Sequence, residues 1–191
     1  AYAAVFHFVR QQVGWVTLYR RREDGVGRLD AYLDTAAAYA ATVWPLLFWH
    51  AHLPRRFTWF VPGDFFPSVI PVWLPSALEP IYWGLGSAFL IRQGWRLRAG
   101  ARVSPGKTLV LTTTWACWWV GIVALDGDLA FTVTNVLIHG IPYLVLTYRW
   151  GVARAERAPG TLAARILTRG LGAFVAVILA AALAEEVLWD R

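Results

Sequence analysis

The chain has 191 residues, 58% hydrophobic, 15% aromatic and only 16% charged, with 12 Trp and a net charge of +6. An ordinary soluble domain carries about 25% charged residues, so this composition excludes a disordered, a collagen-like and an ordinary water-soluble chain and points to a polytopic membrane protein. The basic excess would raise nucleic acid as a partner in a soluble chain; here apolar segments separate the charges, and no nucleic-acid partner is expected.

A membrane-crossing helix needs about 20 mostly apolar residues. Six segments approach this: 1–19, 29–53, 76–96, 107–125, 128–150 and 161–184. The expected fold is all-α, a transmembrane bundle of about six spanning helices forming one domain over 1–191. The chain opens inside an apolar run and contains no Met, so it reads as N-terminally truncated.

In the first segment, HFVRQQVGW places His7, Arg10, Gln11 and Gly14 at i, i+3, i+4, i+7, one face of a helix. A polar stripe in lipid is expected to face the bundle interior or a water-filled cavity. The second segment ends in FWHAH. His50 and His52 lie about 200° apart around a helix, so one of them serves a common centre. His50 is favoured, with His52 an interfacial residue. The Pro- and aromatic-rich connection 54–75 is expected to be an interfacial loop.

The third segment carries Glu79, with Tyr82 and Gly86 on its face; a carboxylate this near a helix start is also stabilised by the helix dipole. In the fourth, Thr112–Thr114 can bond to their own backbone. Cys117, the single cysteine, reads as a small buried hydrophobe, and Trp118 and Trp119 read as aromatic-belt anchors. The fifth places Thr132, Asn135, His139 and Tyr143 on one face, and Pro142 beside Gly140 predicts a kink or a break.

Charge then sets orientation. Arg20, Arg21, Arg22 and Arg28 lie at the 1–2 connection; Arg92, Arg96, Arg98, Arg102 and Lys107 surround the 3–4 connection; Arg149, Arg154, Arg157, Arg165 and Arg169 surround the 5–6 connection. By the positive-inside rule these three connections are cytoplasmic. At 1.5 Å per residue, His7 and Glu79 lie about 20 Å, and His139 about 15 Å, above the nearest of these arginines, close to the midplane of a core about 30 Å thick; His50 is nearer the outer surface, about 33 Å above Arg28.

Imidazoles with a carboxylate suit non-haem iron, copper or zinc. His7 and His139 are the expected metal ligands, with His50 a third. Glu79 would be a ligand or general base, and Tyr143, Asn135, Gln11, Arg10 and Tyr82 would orient ligands or substrate. Oxidation of a lipid or isoprenoid by non-haem iron is the leading expectation. The alternatives are a haem-binding electron carrier, a transporter lined by the polar stripes, and a structural membrane protein whose polar residues bond helix to helix. No phosphate loop, nucleophile elbow or dinucleotide fingerprint is present.

HFVRQQVGWVTLY, VWPLLFWHAH and LAFTVTNVLIHGIPYLVLTYRWG resemble blocks of a family of uncharacterised bacterial multi-pass membrane proteins, and all four histidines fall within them. The resemblance implies a bacterial plasma membrane and membrane lipids as partners. In setting, scattered histidines on separate helices are loosely similar to His-dependent integral membrane oxygenases; the HxxxH and HxxHH boxes of the membrane desaturases are absent.

Overall fold

The computed structural model describes residues 2–56, 69–157 and 160–189. They are helical with short connections, and no strand occurs among them. The elements are α1 (Tyr2–Arg20), α2 (Arg28–Ala51), α3 (Trp73–Arg98) and α4 (Pro105–Trp118), which runs on into a π-helical turn (Trp119–Ala124). Then come α5 (Asp128–Phe131), a second π-helical turn (Thr132–Leu137), α6 (Ile138–Ala155), α7 (Leu162–Leu167) and α8 (Leu171–Trp189). The all-α expectation holds. The core of the interfacial loop expected over 54–75 lies outside the described residues.

Local chemistry sets the helix ends. The Gly27 N–H donates to Asp30 Oδ2 (3.2 Å), closing the first turn of α2. At the end of α3, Gly100 adopts φ +76, while its N–H donates to Leu97 O and that of Ala101 to Arg96 O. These two reversed bonds use carbonyls the helix leaves open, and the left-handed residue they require favours glycine. Pro105 starts α4, where its missing N–H costs nothing.

The chain divides into two compact units, Ala1–Leu137 and Ile138–Arg191. In the first, α2 packs on α1, α3 and α4. Its buried face is built from small residues, Ala37, Ala38, Ala41 and Thr42, which lets neighbouring helices approach closely. Val13, Val16, Phe89 and Leu111 pack around these alanines. A second cluster joins Val9, Trp49, Trp118 and Ile122. In the other unit α7 packs on both α6 and α8, and Tyr148 meets Phe174 at 5.4 Å between ring centres.

Two expectations change. The sixth segment, 161–184, is not one continuous helix: α7 has six residues, and Gly170 (φ +100) separates it from α8. The break expected at Gly140–Pro142 does not occur, and a π-helical turn lies further upstream. Pro142 lies inside α6, and the chain widens over Thr132–Leu137, immediately before Ile138, whose carbonyl the ring of Pro142 would crowd. By length and apolarity alone, one helix among the described residues, Asp128–Ala155, is long and apolar enough to cross a membrane, while Leu171–Ala184 is apolar but shorter.

Candidate functional site

The ends of α1 and α3 and the starts of α2 and α4 meet in a network of buried charge. Lys107 is fully buried and donates to Glu23 Oε2 (2.8 Å) and Asp34 Oδ2 (2.9 Å). Glu23 also accepts the Ser104 N–H (2.8 Å) and lies 3.4 Å from Arg96 Nη1. Arg96 donates to the Asp24 carbonyl, and Arg92 grips Asp30 through two bonds of 2.5 and 3.2 Å. Arg20 lies 3.9 Å from Asp34 and donates to the Ala31 carbonyl. Four cations thus enclose three carboxylates. At its sealed centre, Lys107 with Glu23 and Asp34, removing the cation leaves buried carboxylates short of a partner, which costs about 3–5 kcal/mol.

The opposite end of this unit is also stitched. Arg55 donates through Nε to Asp126 Oδ1 (2.9 Å) and through Nη2 to the carbonyls of Ile122 (2.5 Å) and Leu125 (3.1 Å), closing the π-helical end of α4. There Gly121 is held against Thr134 and Asn135; a Cβ on it would overlap Thr134 Oγ1. The two π-helical turns therefore cross at a glycine.

Between these ends, aromatic rings join three helices. Tyr82 of α3 stacks on Trp44 of α2 (4.3 Å) and leans on Trp115 of α4 (4.5 Å). Gly86 admits the Trp115 ring, which would stand 3.0 Å from a Cβ at that position. Beside this stack, residues of α3, α4 and the following π-helical turn line an open cleft of about 390 Å³. Trp83, Trp115 and Trp119 wall it, Phe89 and Leu111 form part of its lining, and Ala116 lies on its α4 side.

The residues singled out from sequence are dispersed. His7 is exposed, with its ring edge-on to Phe8, and Arg10, also exposed, donates to Tyr39 Oη (2.7 Å). The Gln11 amide is buried without a hydrogen-bond partner among the described residues. The stripe His7–Arg10–Gly14 thus faces outward, because α1 packs through Val9, Val13 and Val16. The neighbouring Gln12 amide accepts from Thr114 Oγ1 (3.0 Å), tying α1 to α4.

His50 places Nδ1 2.9 Å from the Leu46 carbonyl and Nε2 3.0 Å from Tyr2 Oη. Because a carbonyl only accepts, Nδ1 carries the proton, and Nε2 accepts from the tyrosine. His52 bonds in the same manner to Phe48 O (2.7 Å), and its ring stacks on Phe48. Glu79 is exposed and accepts from Trp83 Nε1 (3.2 Å), whereas Tyr82, expected on the same face, is buried. Asn135 is buried and donates to the Phe131 carbonyl (3.2 Å) and to Thr134 Oγ1 (2.8 Å). His139 and Tyr143 belong to the second unit; their rings lie parallel at 6.4 Å, with His139 buried and Tyr143 exposed. Among the described residues no three His, Cys, Asp or Glu side chains are grouped as a metal would require.

Sequence reasoning missed the network. It read Arg20, Arg92, Arg96 and Lys107 as orientation signals. The available sign was the single lysine of the chain, set among arginines with Glu23, Asp30 and Asp34 near the same connections. Comparison with family models, curated proteins and solved structures finds no match to this chain.

Proposed function

We propose that the chain is a multi-pass membrane protein that holds the hydrocarbon chain of a lipid or isoprenoid in the cleft between α3 and α4. In this reading α1, α2, α3 and α4, the run Asp128–Ala155 and the apolar α8 cross the bilayer of a bacterial plasma membrane, about six passages in all. The arginine-rich connections lie in the cytoplasm.

The inversion of polarity supports membrane residence. Ile81, Leu90, Ile91, Ile141, Leu179 and Leu183 are exposed, whereas Asp34 and Lys107 are sealed inside. In water such apolar surface would be costly; in lipid it is the expected exterior, and burial suits charged groups such as Asp34 and Lys107.

The observation that carries the ligand reading is the cleft. Its volume falls in the ordinary range of small-molecule sites. Its lining is aromatic and aliphatic, with the hydroxyls of Ser87 and Thr112 as the polar side chains, and Thr112 bonds back to the Thr108 carbonyl (2.8 Å). It contains no acid, base or imidazole, so what its residues supply is binding.

The test is energy transfer from tryptophan to cis-parinaric acid, a fluorescent polyene fatty acid, with the full chain in detergent micelles. Saturable transfer that weakens about tenfold in Ala116→Phe, which fills the cleft, supports the reading. Transfer that does not saturate, or is equal in the variant, overturns it.

A further inference from the structure

The basic residues at the network end fall into two groups. Arg20, Arg92, Arg96 and Lys107 are engaged with Glu23, Asp30 and Asp34. Arg21, Arg22, Arg28, Arg98 and Arg102 are exposed, and none of them forms an ion pair among the described residues.

The network also fixes where this second group sits. Glu23 binds the Ser104 N–H, and Arg96 binds the Asp24 carbonyl, so the connection after α1 and the connection after α3 lie side by side. Exposed Asp24 is the acidic residue at this surface. Five unneutralised guanidinium groups carried on two joined turns form one cationic platform.

The surface next to the platform selects among anions. Leu29, Tyr32, Trp95 and Leu97 are all more than half exposed, within a few residues of Arg28 or Arg98. Arg22 stands over the Tyr19 ring (5.8 Å) and Arg92 over that of Trp95 (4.5 Å). A cationic rim bordering exposed aromatic and aliphatic side chains matches the boundary between phosphate headgroups and acyl chains. Free phosphate or nucleic acid would use the arginines and leave the apolar border in water.

We propose that this platform binds the phosphodiester headgroups of anionic phospholipids, phosphatidylglycerol or cardiolipin, and retains them around the α1–α2 and α3–α4 turns. Guanidinium groups form paired, charge-assisted bonds to phosphate oxygens, which favours arginine over lysine at such a surface. The proposal rests on the membrane reading above.

The experiment reconstitutes the full chain in nanodiscs of phosphatidylcholine with a minor fraction of phosphatidylglycerol, and measures by mass spectrometry the lipid retained after detergent extraction. The expected result is enrichment of phosphatidylglycerol by about threefold or more over the starting mixture. It should fall in R22Q/R102Q and rise in D24N, which removes the competing carboxylate and keeps the carbonyl that Arg96 uses. Equal retention of both lipids, no change in either variant, or displacement by millimolar inorganic phosphate overturns the platform. Resistance to alkaline carbonate extraction is read on the same preparations. A carbonate-resistant chain without lipid preference rejects the platform alone, whereas a chain released by carbonate rejects the membrane reading with it.

Discussion

Lys107 Nζ and Asp34 Oδ2 meet at 2.9 Å, with both side chains closed off from the surroundings, and the same ammonium holds Glu23 of the connection between α1 and α2. One side chain of α4 thereby ties α2 to the end of α1, and Arg96 and Arg92 extend the tie to α3. Lys107→Met should therefore destabilise the bundle by about 3–5 kcal/mol, because two carboxylates lose their shared cation. The triple variant K107M/E23Q/D34N should recover more than half of that loss. Thermal unfolding in detergent checks both, and the loss should change little between low and high salt, since buried pairs are weakly screened.

Gly121 is the point where the two π-helical turns touch. Gly121→Ala should lower stability by about 1–3 kcal/mol, because the added methyl group would overlap Thr134 Oγ1. Thr134→Ala removes that oxygen. The double variant should be more stable than G121A alone, a non-additive coupling readable in a double-mutant thermal series.

The bonds around His50 fix its tautomer. Nitrogen NMR of labelled protein should show the neutral ring as its Nδ1-protonated tautomer, with Nε2 as an acceptor. Tyr2→Phe should shift the Nε2 resonance and cost about 1 kcal/mol, the ordinary worth of one hydrogen bond. A metal recruited to His50 through Nε2 would have to displace the Tyr2 hydroxyl.

The proposed passage across the membrane sets a sidedness rule. In a Cys117→Ala background, single cysteines at Asp24 and Arg98 should be labelled by an impermeant maleimide from one side of inverted vesicles, and a cysteine at Arg56 from the other. The Asp24 carbonyl accepts from Arg96, two residues before Arg98 at the end of α3, whereas the Arg56 N–H donates to Asp126 Oδ1 at the other end of the unit. Labelling of all three from one side would refute passage of α2 and α3 across the bilayer.

The helices were largely legible in the sequence because apolar runs and arginine-rich turns bound them. The faces were not. A polar stripe at i, i+3, i+4, i+7 identifies one side of α1, but Val9, Val13 and Val16 form an equally regular stripe, and packing against the small residues of α2 selected the valines. Periodicity states which residues share a side and leaves open which side is covered.

The charged network was hidden for a related reason. Lys107 lies 84 residues from Glu23 and 73 from Asp34, and Arg92 lies 62 from Asp30. A rule that counts basic residues at helix ends accounts for every one of these cations without partners, so nothing local called for carboxylates. The cleft was equally invisible, because Trp83, Trp115 and Trp119 fall on two helices whose separation only the fold defines.

The composition of the network turns it into a chemical sensor. Lys107 is the only lysine in the 191 residues, and its ammonium is sealed. An amine-acylating reagent therefore finds no lysine side chain on the folded protein, and a lysine-specific protease finds no cleavage site. Acylation at Lys107 then measures, without any engineered probe, how often the helix ends part.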